Sequence, residues 1–357
     1  MSAPTPTHIK ITVPASTSNI GPGFDVLGAS LSLYLSVSAT LLPAGSATAI
    51  VYTGNNAHTV PLTVPQNLIT ATACYIAACH GKALPPLELH IDNPIPLGRG
   101  LGSSGSAVVA GVILANEACL LGLSKERMLD FCLLIEGHPD NVTASLLGGF
   151  CSSYLSASIH DEHVALHNLD ATVYCSNNPP PNGRLPLPPV ENIGRHVRLP
   201  LSPAIRAVVI IPKFELSTKL ARSVLPASYS RADVIFNLQR LSVLTLALSS
   251  PEPSSDLIYG AMQDRVHQHY RQHLVPGLPQ ILALTPEKCP GLLGICVSGA
   301  GPTVLALAVA NFESIGREVQ HIWASSMGSD GSAIESEVRV LEVVDDGATW
   351  STSYNVE

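Results

Sequence analysis

The sequence predicts an α+β protein of two domains, and three observations carry that prediction. The chain has 357 residues, 46% of them hydrophobic and only 13% charged, against about 25% charged in an ordinary globular protein; that is enough for about two domains with a sizeable core. Strand-like and helix-like segments mix without a strict strand–helix–strand rhythm. From about Ile159 to Pro200 the chain is expected to be irregular and holds a proline-rich stretch, NNPPPNGRLPLPP (177–189), and the buried-strand string RAVVIIP restarts order at Arg206. The boundary is placed near 195–203, with an N-terminal domain over 1–200 that carries the stretch 177–189 as an insertion, and a C-terminal domain over 201–357.

In chain order, His8 to Val13 alternates toward a strand. Leu31, Leu33, Leu35 and Val37 alternate with Ser32, Tyr34, Ser36 and Ser38 in a second, half-buried strand, and Ala47 to Thr53 is expected to be its partner. A helix is predicted over 67–80, a strand over LELHI (87–91), a loop rich in glycine and serine, and a long helix to about Leu121. Ser124 is placed to cap the next helix, with Glu126 in its first turn where an acid suits the helix dipole. EGHPDN (136–141) interrupts before another short helix, and Gly148-Gly149 leads into the strand FCSSYL. Beyond Pro200, strands fit 206–212, 292–298, 303–309 and 336–344, and helices fit 218–225, 231–248, 256–269 and 312–325. No repeat of 20–50 residues appears.

Several function classes are disfavoured. Net charge is −8 and no Lys/Arg cluster exceeds a pair, which argues against nucleic acid as a partner. No segment holds the about 18 uncharged apolar residues that span a bilayer; Ala107 to Leu123 is broken by Asn116 and Glu117. The start, MSAPTPTHIKITV, has neither a basic-then-apolar signal nor an arginine-rich one. Cysteines 74, 79, 119, 132, 151, 175, 289 and 296 show no zinc spacing and are expected as buried thiols of a reducing compartment. A cytoplasmic protein is the expectation.

The chemistry concentrates in PIPLGRGLGSSGSAVVAGVILANEACLLGL (94–123). Glycines let backbone N–H groups approach oxygen atoms, and the following helix adds a partial positive charge, so the loop suits a polyphosphate. The string GxGxxG is present at Gly100, Gly102 and Gly105. A dinucleotide fold would need a strand running straight into it and an acid about 20 residues on. Here DNPIPL precedes the loop and the nearest acid, Glu117, lies in the same helix. No lysine follows as in a P-loop.

PLGRGLGSSGSA (96–107) resembles the central ATP-binding motif of the GHMP kinases, the superfamily of galactokinase, homoserine kinase and mevalonate kinase. VPASTSNIGPGFDVLGASL (13–31) resembles its N-terminal motif and VSGAGPTVLAL (297–307) its C-terminal glycine-rich motif, in the same order. SNIGPGFDVLG, EGHPDN, LSTKLARSVLP (216–226), YSRADVIFNLQR (229–240) and HQHYRQHLVPG (267–277) are most similar to the homoserine kinase branch, in a fungal or other eukaryotic form. The resemblance implies an N-terminal domain like the second domain of ribosomal protein S5, a ferredoxin-like C-terminal domain, and an active site between them. It also implies ATP-dependent phosphorylation of the L-homoserine side-chain hydroxyl, toward threonine, and a homodimer. The alternatives are a GHMP kinase for another small alcohol, or a ligand sensor that has lost catalysis.

By the same resemblance, Asn19 and Asp25 meet the hydroxyl and amino ends of the substrate, and Arg222 and Arg271 its carboxylate, which an arginine fork matches in two-pronged fashion. His138, with Asn141, lines the substrate pocket, and Thr218 orients the hydroxyl or caps a helix. Pro96, Leu97, Gly98, Arg99, Gly100, Leu101, Gly102, Ser103, Ser104, Gly105, Ser106, Ala107, Gly299 and Gly301 surround ATP. Asn67 contacts the adenosine or caps its helix. Ser104 and Glu136 are the Mg²⁺ ligands, a hydroxyl and a carboxylate with the remaining donors from ATP and water. No general base stands out; Asp140 is the first to test, and alignment plus charge stabilisation are expected to suffice. His269 stands where many relatives carry proline, which bears only on the local turn.

Overall fold

In the computed structural model, residues 6–156, 175, 186–328 and 331–354 are described here. Two antiparallel-rich sheets organise them. The first has seven strands, β1 (Pro6–Ser18), β2 (Leu27–Leu41), β3 (Ala49–Gly54), β4 (Leu87–Asn93), β5 (Phe150–Leu155), β6 (Gly194–Leu199) and the last strand of the chain, β11 (Thr349–Tyr354). Its order is β11-β1-β2-β4-β3, with β5 branching from β2 to β6. The second sheet is β10-β7-β9-β8, built from β7 (Arg206–Pro212), β8 (Leu292–Val297), β9 (Val304–Ala308) and β10 (Ser336–Leu341).

Period-2 alternation explains the first sheet: β4 buries every second residue of LELHIDN. On it pack α2 (Ser103–Ala118) and α4 (Pro139–Leu147), with α1 (Leu68–Cys79) against the far side of α2 and α3 (Lys125–Glu136) against both α2 and α4. Their shared core includes Ile11, Val37, Ile91, Val109, Ile113 and Phe131. In β7, Ala207, Val209 and Ile211 join this core, while Val208 and Ile210 face a second one around Val297, Val319 and Trp323. A strand covered on both faces needs apolar residues at every position, which is why RAVVIIP is a continuous run. The second sheet also carries α10 (Phe312–Ala324), whose Trp323 is fully buried and donates Nε1–H to Pro276 O at 3.0 Å.

Several expected elements are changed. Ala49–Gly54 pairs in parallel with β4 instead of with β2, because β4 inserts between them; alternation reveals a half-buried strand but not its neighbour. β1 runs on to Ser18 past a register shift at Pro14. Ser124 does cap α3, accepting from Arg127 N at 3.2 Å. The helix expected over 256–269 is two, α7 (Ser255–Ala261) and α8 (Gln268–Arg271). Between them the Asp264 carboxylate accepts from the backbone N–H groups of Val266, His267 and Gln268 and starts a new turn. The other helices of this half are α5 (Thr218–Ser223), α6 (Arg231–Ala247) and α9 (Leu278–Leu282). Strands β6 and β11 are additional, and β11 returns to the first sheet beside β1. Residues 177–185 of the proline-rich stretch lie outside the described residues; at its end, Arg127 donates to Pro189 O and to Val190 O. Six of the cysteines are buried, whereas Cys79 and Cys175 are half-buried. Among the described residues no helix is long and apolar enough to cross a membrane.

Candidate active site

The three glycine-bearing motifs, far apart in sequence, meet at one cleft of about 310 Å³. Its walls come from the end of β1 (Ser18, Asn19), the glycine loop, the start of α4 (His138, Asp140, Asn141), α5 (Thr218, Arg222), α8 (Arg271) and the turn after β8 (Gly299, Ala300). Polar bonds lock these pieces. Ser298 Oγ donates to Gly100 O at 2.6 Å, Gly299 N to Ser18 O at 2.8 Å, and Asn141 Nδ2 to Ser18 Oγ at 2.9 Å. Arg99 ties the loop to the second sheet through Lys213 O at 2.8 Å.

The glycine loop owes its shape to close approach. Gly100 has φ of +75°, and a Cβ there would sit 2.1 Å from Ser298 O; only glycine fits. Gly102, also left-handed, begins α2 without any side-chain cap. The first N–H groups of a long helix are therefore left for a ligand. Asn93 braces the loop by donating to Tyr52 Oη at 2.8 Å and Ser103 Oγ at 3.3 Å.

Of the expected ATP residues, Pro96, Leu97, Gly98, Arg99, Gly100, Gly102, Ser103, Ser104, Ala107 and Gly299 line the cleft, as does Asn67. Leu101, Gly105, Ser106 and Gly301 lie off the cleft wall. Leu101 is a fully buried core side chain, Gly105 faces Asn141 and Val142, and Ser106 Oγ is turned to Pro14 O at 3.0 Å. Gly301 spends its N–H on Ser298 O. Asn67 lines the cleft and also caps α1, accepting from Ile69 N at 3.2 Å. Thr218 lines the cleft but is not the cap of α5, which is Ser217.

Around the expected substrate end, Arg222 grips Asp25 through two hydrogen bonds of 2.9 and 2.6 Å. Burial would lower the Arg222 pKa, but the Asp25 carboxylate overrides it and raises it. Phe24 lies beneath both arginines, with the Arg222 and Arg271 guanidinium carbons 5.4 and 5.3 Å from its ring centre. Arg271 is 1% exposed. Burial, then Arg222, lower it to about 10, so it stays charged at neutral pH. Asn19 and Arg271 both donate to Gly299 O, at 2.8 and 3.1 Å. Asp25 and Glu136 are not part of the cleft lining, although each is bonded to a side chain that is.

His138 stands between two carboxylates, Asp140 at 3.2 Å and Glu136 at 3.4 Å. Burial alone would lower its pKa; the hydrogen bond and charge of Asp140, with Glu136, raise it instead to about 9. Burial likewise works to raise Asp140, but the His138 ring and the Asn141 N–H bring its pKa below the usual carboxylate value. The site thus presents an imidazolium. Hard oxygen donors for a divalent ion are the exposed Ser104 hydroxyl at the start of α2 and the carboxylates of Glu136 and Asp140. Among the described residues no group of three or more His, Cys, Asp or Glu could hold a metal by itself. That donor set suits an ion like Mg²⁺, which takes most of its ligands from phosphate and water.

Sequence reasoning did not name Ser18, Tyr52, Val60, Leu68, Ile69, Asn93 or Ala300, all on the cleft wall. Ser18 and Ala300 sit inside the first and last glycine-bearing motifs, and the other five lie in no motif. Only the alternation of β3 and the polar end of DNPIPL could have pointed to Tyr52 and Asn93.

Residues 67–149 match the model of the GHMP kinases N terminal domain. The chain is 49% identical to the homoserine kinase of Saccharomyces cerevisiae, over 95% of this chain and 98% of that one. It belongs to the homoserine kinase family. The homoserine kinase of Schizosaccharomyces pombe is 46% identical, over 95% and 98%, so the fungal resemblance holds. The crystal structure of homoserine kinase from Cytophaga hutchinsonii superposes with a TM-score of 0.73 at 24% identity, covering 97% of this chain and 98% of that one. At that identity it speaks for the fold, which is the GHMP kinase fold.

Proposed function

We propose that this member of the homoserine kinase family transfers the γ-phosphoryl group of ATP to the side-chain hydroxyl of L-homoserine, giving O-phospho-L-homoserine and ADP, on the way to threonine. The carrying observation is the two-pronged Asp25–Arg222 pair beside the glycine loop. A zwitterion exchanges into such a pair with both charges kept: its ammonium takes Asp25 and its carboxylate takes Arg222, with Arg271 behind. Mevalonate offers only the anion and a sugar offers neither, so each would leave a partly buried charge uncompensated.

In this reading, the free end of α2 and the loop amides receive the ATP phosphates, and Tyr52, Val60, Leu68 and Ile69 form the less polar wall for adenosine. Asn19 and Thr218 orient the accepting hydroxyl, with Asn141 holding the loop behind it. Ser104 and Glu136 hold Mg²⁺, which would neutralise phosphate charge. His138 adds a fixed positive charge. Asp140, with its pKa below the usual carboxylate value, is a weak proton acceptor. That favours catalysis by alignment and charge stabilisation through a loose transition state.

A cytoplasmic homodimer divided near residue 200 completes the proposal. The exposed side chains of Val234, Ile235, Leu238, Val243 and Leu246 along α6 support self-association. The division falls between β6 and β7, with β11 as a return strand.

The test is ADP release with Mg²⁺ and, separately, L-homoserine, L-serine, L-threonine, mevalonate and galactose. Turnover with homoserine is expected, with kcat/KM falling on the order of 10-fold to 100-fold in Arg222→Ala, which removes one partner of a partly buried, two-pronged charge pair. Turnover with another alcohol instead would overturn the substrate. Tight ATP binding with no turnover would point to a sensor.

A further inference from the structure

Beneath the cleft lies a chain of buried polar groups that the proposed reaction does not use directly: Asn237, Asp264 and His267. The His267 side chain is 0% exposed and lies off the cleft wall. Its two ring nitrogens nevertheless connect the two halves of the substrate end. Nε2 lies 2.9 Å from Gly21 O, in the turn that carries Asp25. Nδ1 lies 3.2 Å from the NH1 group of Arg271. A carbonyl only accepts and a guanidinium only donates. Both partners therefore demand the same neutral ring, with its proton on Nε2.

Arg271 shows what this bond accomplishes. Its Nε–H donates to Ala221 O at 3.1 Å, and NH1 is shared between Gly299 O and His267 Nδ1. Among the described residues the NH2 group is the part of the guanidinium with no hydrogen bond, and it is what remains for a ligand. The ring of Phe24 stacks on His267 at 5.3 Å, so the imidazole also braces the aromatic floor under both arginines. The ring is held in place from below. Asp264 accepts from the His267 backbone N–H at 2.9 Å and from Asn237 Nδ2 at 2.8 Å, and Asn237 Oδ1 accepts from Arg265 N at 2.9 Å. Burial pushes the His267 pKa down, and Arg271 adds to that against the opposing pull of Asp264, which keeps the ring in its neutral form.

We propose that His267 is the positioning residue for substrate recognition, fixing the Arg271 guanidinium through Nδ1 and the Gly21–Asp25 turn through Nε2–H so that the carboxylate and ammonium subsites keep one spacing. This rests on the reading of Arg271 as a carboxylate ligand. An arginine lacking this acceptor keeps its charge but samples more orientations, and the loss falls on ligands that carry a carboxylate.

The test compares kcat/KM for L-homoserine with that for 3-aminopropan-1-ol, the same alcohol and amine without the carboxylate. In Arg271→Ala the ratio of the two is expected to fall on the order of 100-fold. In His267→Phe, which keeps the stacking ring and loses both hydrogen bonds, the ratio falls about 10-fold, the worth of a hydrogen bond to a charged group. Combining it with Arg271→Ala adds nothing further to the ratio. His267→Gln, which can accept with its oxygen and donate with its nitrogen, restores the ratio to within about 3-fold. Should His267→Phe not fold, His267→Asn, too short to reach both partners, is expected to show the same fall. If Arg271→Ala lowers the ratio while the His267 variants slow both alcohols equally, the positioning role is wrong and the carboxylate reading stands. If Arg271→Ala leaves the ratio unchanged, the carboxylate reading and the role built on it both fail.

Discussion

Helices α2 and α6 are nearly equal in length, 16 and 17 residues, yet 13 residues of α2 are buried and only three of α6. The difference is one of place. α2 runs between the first sheet and α1, with Gly111 so close to α1 that a Cβ would meet Ile69 O at 2.5 Å. Its role at the site is performed by its end, where uncapped N–H groups open on the cleft. α6 lies on the outside, and its buried residues are Asn237, Leu244 and Ala247. Its contribution to the site is one polar side chain, Asn237, which holds Asp264 beneath Arg271. A scaffold helix is recognised by how much it buries; a helix that serves a site is recognised by which residue it buries.

Three measurements break or sharpen that comparison. The largest effect is expected from α2. Ile113→Ala leaves a cavity in the fully buried core and is expected to lower stability by about 2–5 kcal/mol in denaturant unfolding. Asn237→Ala should cost less, about 1–3 kcal/mol, because it strips a buried carboxylate of one donor and Arg265 N of its acceptor. If the second loss exceeds the first, scaffold and site helix have been assigned the wrong way round. The smallest folding effect belongs to the exposed stripe of α6. Leu238→Ser with Leu246→Ser should change the stability of each subunit by no more than about 0.5 kcal/mol per site, while shifting the mass seen by light scattering from dimer to monomer. An unchanged mass would remove α6 from the interface.

Acid titration of stability probes the block that α6 supports. The folded His267 pKa lies below its ordinary value of 6.5, so the neutral ring stabilises the fold fully above about pH 6.5. That contribution is lost as the pH falls from there through the lowered value. Burial works to raise Asp264, but the His267 ring, Asn237 and backbone N–H groups bring it below its ordinary value, and its contribution goes at still lower pH. His267→Gln should flatten the first part of this acid limb; a limb unchanged in that variant would show that other groups cause it.

The glycine motifs were more legible than the strand pairing around them. Each glycine motif is a local backbone requirement, such as positive φ at Gly100, and such requirements are written in consecutive residues. The helix over 67–80 and the cap at Ser124 were legible for the same reason. The pairing of β3 was not, since strand order depends on what inserts between strands. Nor were β6 and β11, whose GRHVRL and TWSTSY lie largely exposed and carry little apolar pattern. Asp25 and Arg222 were assigned to opposite ends of a ligand; that they grip each other, 197 positions apart, depends on the loop after β1 and helix α5 coming together beside one cleft.

By itself the sequence determined the glycine loop and its helix and the residue types that the motifs carry, because these are short-range demands of backbone conformation and residue chemistry. Only the tertiary structure decided that Asn237, Asp264, His267 and Arg271 form one buried chain. A buried polar group is defined by partners that fold in from elsewhere, and its solvation is settled once the packing around it is complete.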